Sequence, residues 1–128
     1  MTRRGSPSTG KDKGASPPGT ARFQRRFADR FADDFFRPFA GELAASSLGI
    51  GTYLGECDDA DDASYAAAIR AALQRGINVI DSSINYRCQR SERVVGDTLR
   101  AAIADGVVRR DEVIICTKGG YVPLDGAP

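Results

Sequence analysis

Three side chains of complementary chemistry fall at or just beyond the ends of predicted strands: a carboxylate at Asp81, a phenol at Tyr86 and an ammonium at Lys118. Singly each is ordinary. An aspartate caps helices or sits in loops, a tyrosine lines a rim with its hydroxyl in water, and a lysine is most often a solvated charge. Together they form a proton donor. A phenol with a reference pKa of about 10 gives up its proton poorly at neutral pH until a neighbouring cation stabilises the phenolate. Lys118 supplies that charge, Asp81 holds the ammonium in place and protonated, and Tyr86 becomes the general acid.

Three such groups need a scaffold whose strand ends converge, and the chain supplies one. Pro38 to Leu48 reads as a hairpin with Gly41-Glu42 at its turn, followed by a strand over Leu48–Tyr53. Asp61 or Asp62 is expected to cap a helix with Tyr65, Ala66, Ile69, Ala72 and Leu73 on its apolar face, stopped by Gly76. Ile77–Ile80 is a short buried strand. Ser91 is expected to cap a second helix, carrying Val95, Leu99, Ala102 and Ile103 up to Gly106, and Val113–Thr117 is a third strand. Continuous apolar strands alternating with helices specify parallel pairing in an α/β fold.

Two α/β architectures compete for this rhythm. Gly49, Gly51 and Gly55 near a strand end, with Asp81 ending the next strand, invite comparison with a dinucleotide-binding fingerprint. The spacing is G-x-G-x-x-x-G, however, and the following segment, Glu56 to Asp62, carries five carboxylates that would repel a pyrophosphate. A closed barrel instead collects its chemistry at the C-terminal ends of successive strands. Asp81, Tyr86 and Lys118 obey that rule.

The first 40 residues differ in character from the rest. They hold nine basic and four acidic residues, net +5, against nine and thirteen beyond them, net −4. Residues 1–21 are rich in Gly, Ser, Pro and Lys and are expected to form a disordered tail. Residues 22–37 repeat phenylalanine every fourth position, which reads as an amphipathic helix or docking arm packed through its aromatic stripe rather than gripping nucleic acid. An overall net charge of +1 gives no bulk attraction to nucleic acid, and no apolar run reaches the ~20 residues of a membrane span. Met1-Thr2-Arg3-Arg4 lacks the apolar run of an export signal. Cys57, Cys88 and Cys116, odd in number and widely spaced, with no histidine in the chain, predict no metal site and a reducing, cytoplasmic compartment.

From about Pro38 to Val122 the chain resembles the aldo/keto reductases. The resemblance rests on Leu48-Gly49-Ile50-Gly51-Thr52-Tyr53, Gly76-Ile77-Asn78-Val79-Ile80-Asp81-Ser82-Ser83, Asn85-Tyr86, Ser91-Glu92-Arg93-Val94-Val95-Gly96 and Ile115-Cys116-Thr117-Lys118, in that order. It implies that residues 38–128 form the N-terminal part of a (β/α)8 TIM barrel, a hairpin plus three βα strands. It also implies NADPH-dependent reduction of a small aldehyde or ketone. Asp81, Tyr86 and Lys118 fall on three members of the family's catalytic tetrad, and Gly51, Thr52 and Tyr53, with Asp81, fall on the segment beneath the nicotinamide; Ser82 is a weaker candidate.

The fourth tetrad member is a histidine, and this chain has none. A barrel also needs eight strands and roughly 250 residues. The expectation is therefore a truncated chain, or one whose barrel a second polypeptide completes, since three parallel strands alone leave two edges unpaired. The alternative reading is a non-catalytic reductase-like binding or regulatory module.

Overall fold

The computed structural model describes residues 14–126. Helix α1 spans Pro17–Phe27, so helix begins inside the segment expected to be tail. The cause is local and strong: the Ser16 hydroxyl accepts from Gly19 N at 3.0 Å, and Pro17 and Pro18 fill the first helical positions, where no N–H is needed. The rest of the predicted tail, residues 1–13, lies outside the described residues.

The predicted arm of residues 22–37 divides into three pieces: the end of α1, a 3-10 turn at Ala28–Arg30, and the start of strand β1, Phe36–Phe39. Its aromatic stripe is a packing face. Phe23 and Phe27 are buried, and beyond the helix Phe31 stacks on Phe35 at 3.8 Å between ring centres. Strand β2, Leu43–Ser46, pairs antiparallel with β1 as the expected hairpin. Its link to α1 is a hydrogen bond from Ala44 N to the buried Thr20 hydroxyl, 3.0 Å.

Strands β3 (Gly49–Gly51), β4 (Val79–Asp81) and β5 (Ile114–Cys116) form a parallel sheet in the order β3-β4-β5. Helix α2, Asp59–Gln74, joins the first two, and α3, Arg90–Ala104, joins the second and third. The helices bury Ile69, Leu73, Val95, Leu99 and Ala102 against Ile80 and Val113. Both helix starts differ from expectation. Asp58, not Asp61 or Asp62, caps α2, accepting from Asp61 N at 2.8 Å. Gln89 precedes α3 in a left-handed conformation, so Ser91 stands inside the helix, buried, its hydroxyl donating to Thr52 O at 2.6 Å. Gly76 does adopt positive φ, +100°, and a Cβ there would meet Phe31 at 2.7 Å.

Two buried polar residues tie the hairpin and α1 to the N-terminal end of the sheet. Asn78 accepts from Ser46 N at 2.9 Å and donates to Ala44 O and Glu112 O at 3.0 and 3.1 Å. Glu112, its side chain fully buried, accepts from Arg22 Nε at 2.9 Å, from Arg26 at 2.6 Å and from Arg109 N at 2.8 Å. Gly19 completes this junction: a Cβ there would stand 2.3 Å from Asp111 O, so only glycine lets α1 approach so closely.

Burial works to raise the Glu112 pKa, but the Arg109 amide and the two guanidinium groups prevail and hold it below the ordinary 4.5. A depressed carboxylate contributes stability that is fully present above its unfolded-state pKa and lost as pH falls through the folded-state value. Glu112→Gln is therefore expected to destabilise the fold by about 3 kcal/mol at neutral pH, the low end for breaking a buried pair, because both arginines keep access to water. Denaturation followed at neutral pH and again below pH 4.5 checks this, since the difference from the unsubstituted chain should shrink in acid.

Candidate active site

Sheet register sets the site. Gly51, Asp81 and Cys116 lie across one rung, so the loops after β3, β4 and β5 open at the same end of the sheet. Asp81 closes β4, Tyr86 lies in the turn before α3, and Lys118 follows β5 by two residues. The backbone draws the loops together: Ser82 N donates to Cys116 O at 2.8 Å, and the Ser83 hydroxyl donates to Lys118 O at 3.0 Å.

Lys118 Nζ stands 3.1 Å from both Asp81 carboxylate oxygens, donates to Ser82 O at 2.7 Å, and sits 4.8 Å from the centre of the Tyr86 ring. Two predicted residues, Asp81 and Tyr86, thus converge on the ammonium of the third. Partial desolvation works to lower the Lys118 pKa, but the Asp81 carboxylate, followed by the Tyr86 hydroxyl, outweighs it and holds the lysine above its ordinary value. The Asp81 and Lys118 side chains are each 50% exposed, so this ion pair adds little to stability and acts by fixing where the ammonium lies.

Of the residues expected beneath a nicotinamide, Tyr53 is exposed and packs edge-on against Tyr86 with ring centres 5.1 Å apart. Gly51 has nothing within 4 Å of where a Cβ would stand, which leaves open space over the end of β3. Thr52 is different. It is buried, and its hydroxyl lies 2.9 Å from Asp81 O and 3.0 Å from the Ser82 hydroxyl, binding β3 to β4. Ser82 is likewise buried in that contact.

The acidic segment that argued against a pyrophosphate is partly paired, chiefly with two arginines from the loop after β4 and the start of α3. Asp61 accepts from Glu56 N at 2.6 Å, and Asp62 pairs with Arg87 and Arg90, each at 2.7 Å. Carboxylates occupy the first turn of α2, where an anion would otherwise bind. Residue-type reasoning missed Arg87, whose side chain is fully buried between the β3 and β4 loops. Its partners lie 25 to 31 residues away in sequence, and no local pattern announces them. No cluster of ligating side chains that could hold a metal occurs among the described residues.

The parallel strand order is shared by many α/β proteins, and comparison with known sequences supplies the class. The aldo/keto reductase family model matches residues 47–127. The chain belongs to the aldo/keto reductase family, an oxidoreductase family. It is 35% identical over 71 residues to aldo-keto reductase family 1 member D1 of Oryctolagus cuniculus, which covers 56% of this chain and 21% of that protein. Among solved structures, an aldo/keto reductase from Klebsiella pneumoniae in complex with NADP and acetate superposes with a TM-score of 0.54 at 28% identity, covering 65% of this chain and 27% of the other. Another aldo-keto reductase, complexed with NADPH, gives a TM-score of 0.54 at 30% identity, covering 64% and 25%. The chain therefore spans about a quarter of the relatives' length, and its three parallel strands are one part of their barrel. No described helix is long and apolar enough to cross a membrane.

Proposed function

We propose that this chain supplies the proton-donor side of an NADPH-dependent carbonyl reductase acting on a small aldehyde or ketone. The observation that carries the reading is the placement of the Lys118 ammonium between the Asp81 carboxylate and the Tyr86 ring at the C-terminal end of the sheet. The open strand end at Gly51 and the exposed Tyr53 ring fit the flat nicotinamide end of the cofactor. Its phosphates find no matching cradle among the described residues, because Arg87 and Arg90 are already committed to aspartates.

NADPH, when bound, supplies hydride to the carbonyl carbon. The chain's own task is the proton. The Tyr86 hydroxyl donates to the carbonyl oxygen as negative charge develops there. Lys118 stabilises the phenolate that donation leaves behind, and Asp81 with Ser82 O keeps the ammonium from swinging into water. In this reading the histidine that orients the carbonyl and the phosphate clamp come from later barrel strands, carried by a longer parent chain or by a second polypeptide.

On this account the 128-residue chain alone reduces no carbonyl at enzymatic speed. The test is NADPH oxidation by the purified chain over a broad aldehyde and ketone panel. Turnover on the order of 1 to 1000 per second would refute the division of labour proposed here.

A further inference from the structure

The loops after β3 and β4 bring together two thiols for which the reductase chemistry has no use. Cys57 Sγ and Cys88 Sγ lie 2.7 Å apart although 31 residues separate them in sequence. A disulfide bond is about 2.05 Å long, so a small movement of either sulfur closes the remaining gap. Both are half-buried, so a small oxidant can reach them. We propose that Cys57 and Cys88 form a reversible disulfide, a redox modification site that ties the β3–α2 loop to the β4–α3 loop.

The surroundings hold the pair in register. Next to Cys57, Glu56 O accepts from Arg87 Nε at 2.9 Å, and Arg87 Nη2 reaches Asp58 O at 3.3 Å and Asp62 at 2.7 Å. Arg87, the residue before Cys88, thus clamps the backbone on both sides of Cys57. Arg87, Cys88 and Gln89 adopt three successive left-handed conformations, φ 49°, 54° and 69°, which side-chain-bearing residues seldom adopt. The turn that presents the Cys88 sulfur is therefore built rather than relaxed. Arg87 Nη1 is buried without an acceptor among the described residues, a donor left over on the segment that carries Cys88. The hydrogen bond with Cys88 holds the Cys57 thiol above its ordinary pKa, with burial acting the same way, while Arg87 and Arg90 pull in the opposite direction.

The oxidant is a low-molecular-weight disulfide such as oxidised glutathione. One cysteine loses its proton to solvent and its thiolate attacks the small disulfide, forming a mixed disulfide and expelling one small thiolate. The second cysteine, deprotonated in turn, attacks the protein sulfur of that mixed disulfide, closes the Cys57–Cys88 bond and expels the other small thiolate. The released protons convert the two thiolates to thiols, so two protein thiols are oxidised and one small disulfide is reduced. Tyr53 lies four residues before Cys57 and Tyr86 two before Cys88, so the bond would fix the two loops that carry the facing rings. That consequence for catalysis rests on the reductase reading; the bond itself does not.

The test incubates the purified chain with oxidised and reduced glutathione, then applies acid quenching, alkylation, trypsin and mass spectrometry. Trypsin places the three cysteines on separate peptides: residues 31–70, 88–90 and 111–118. The expected product joins 31–70 to 88–90, exceeds any linkage through Cys116 by about 10²-fold as two preorganised groups dictate, and disappears under excess reduced glutathione. Cys116→Ser should leave it intact, and Cys88→Ser should stop the reaction at a mixed disulfide on Cys57. The proposal is overturned if the unsubstituted chain stops at mixed disulfides, if Cys57 and Cys88 stay alkylatable, or if Cys116 links equally well.

Discussion

In a barrel completed by fusing this segment to the later strands of a related reductase, Tyr86→Phe should lower turnover by about two to four powers of ten, the range lost when a general acid is removed. The substitution keeps the ring that packs against Tyr53 and faces Lys118, so NADPH affinity and folding should change little. Steady-state kinetics separate the outcomes. A loss confined to kcat assigns the hydroxyl to the transition state, whereas a rise in KM alone would assign it to substrate binding. Near-normal turnover would make Tyr86 a rim residue and remove the proposed mechanism.

Lys118→Met in the same fusion should cost a comparable factor by a different route. The phenol stays, but the phenolate left by proton transfer loses the only cation placed against its ring among the described residues. Lys118→Arg should recover part of the loss, since a guanidinium restores charge yet is too broad to copy the contacts at 3.1 Å with Asp81 and 2.7 Å with Ser82 O. Asp81→Asn should be the mildest of the series, because the carboxylate works through the lysine and Ser82 O still holds the ammonium. The ordering, read from kcat under one set of conditions, distinguishes a charge requirement from a packing requirement at Lys118.

The sheet and the site's components were legible in the sequence for a physical reason. Buried parallel strands are short apolar runs, and in such folds polar residues just past their ends face the open side of the sheet. Asp81, Tyr86 and Lys118 could therefore be placed near one another without knowing any distance. Helix starts were harder. Asp58, Asp59, Asp61 and Asp62 can all cap a helix, and only the path of the preceding loop selects Asp58. Ser91 looked like a cap but its hydroxyl is bound to Thr52 O, while the left-handed turn at residues 87–89 carries no glycine to announce it. At the N-terminus the local signal, Ser16 followed by two prolines, was present but outweighed by the composition around it.

What sequence reading could not reach were contacts between distant residues. Asn78 looks like a polar interruption in an apolar strand, and only the fold shows its amide bridging the hairpin to the backbone at Glu112. Arg87 with Asp62, Glu112 with Arg22 and Arg26, and Cys57 with Cys88 are all such pairs. Each depends on how two loops or a helix and a turn are brought together, which residue type and spacing do not encode.

The most direct test of the central claim is the activity of the unsubstituted fusion, in which this chain contributes the strands bearing Asp81, Tyr86 and Lys118, and the relative contributes the histidine and phosphate clamp. With folding shown by a cooperative thermal transition and NADPH binding by fluorescence, carbonyl-dependent NADPH oxidation is measured across an aldehyde and ketone panel. The account predicts turnover of about 1 per second or faster with at least one small carbonyl compound. A folded fusion that binds NADPH and reduces none of them would contradict it.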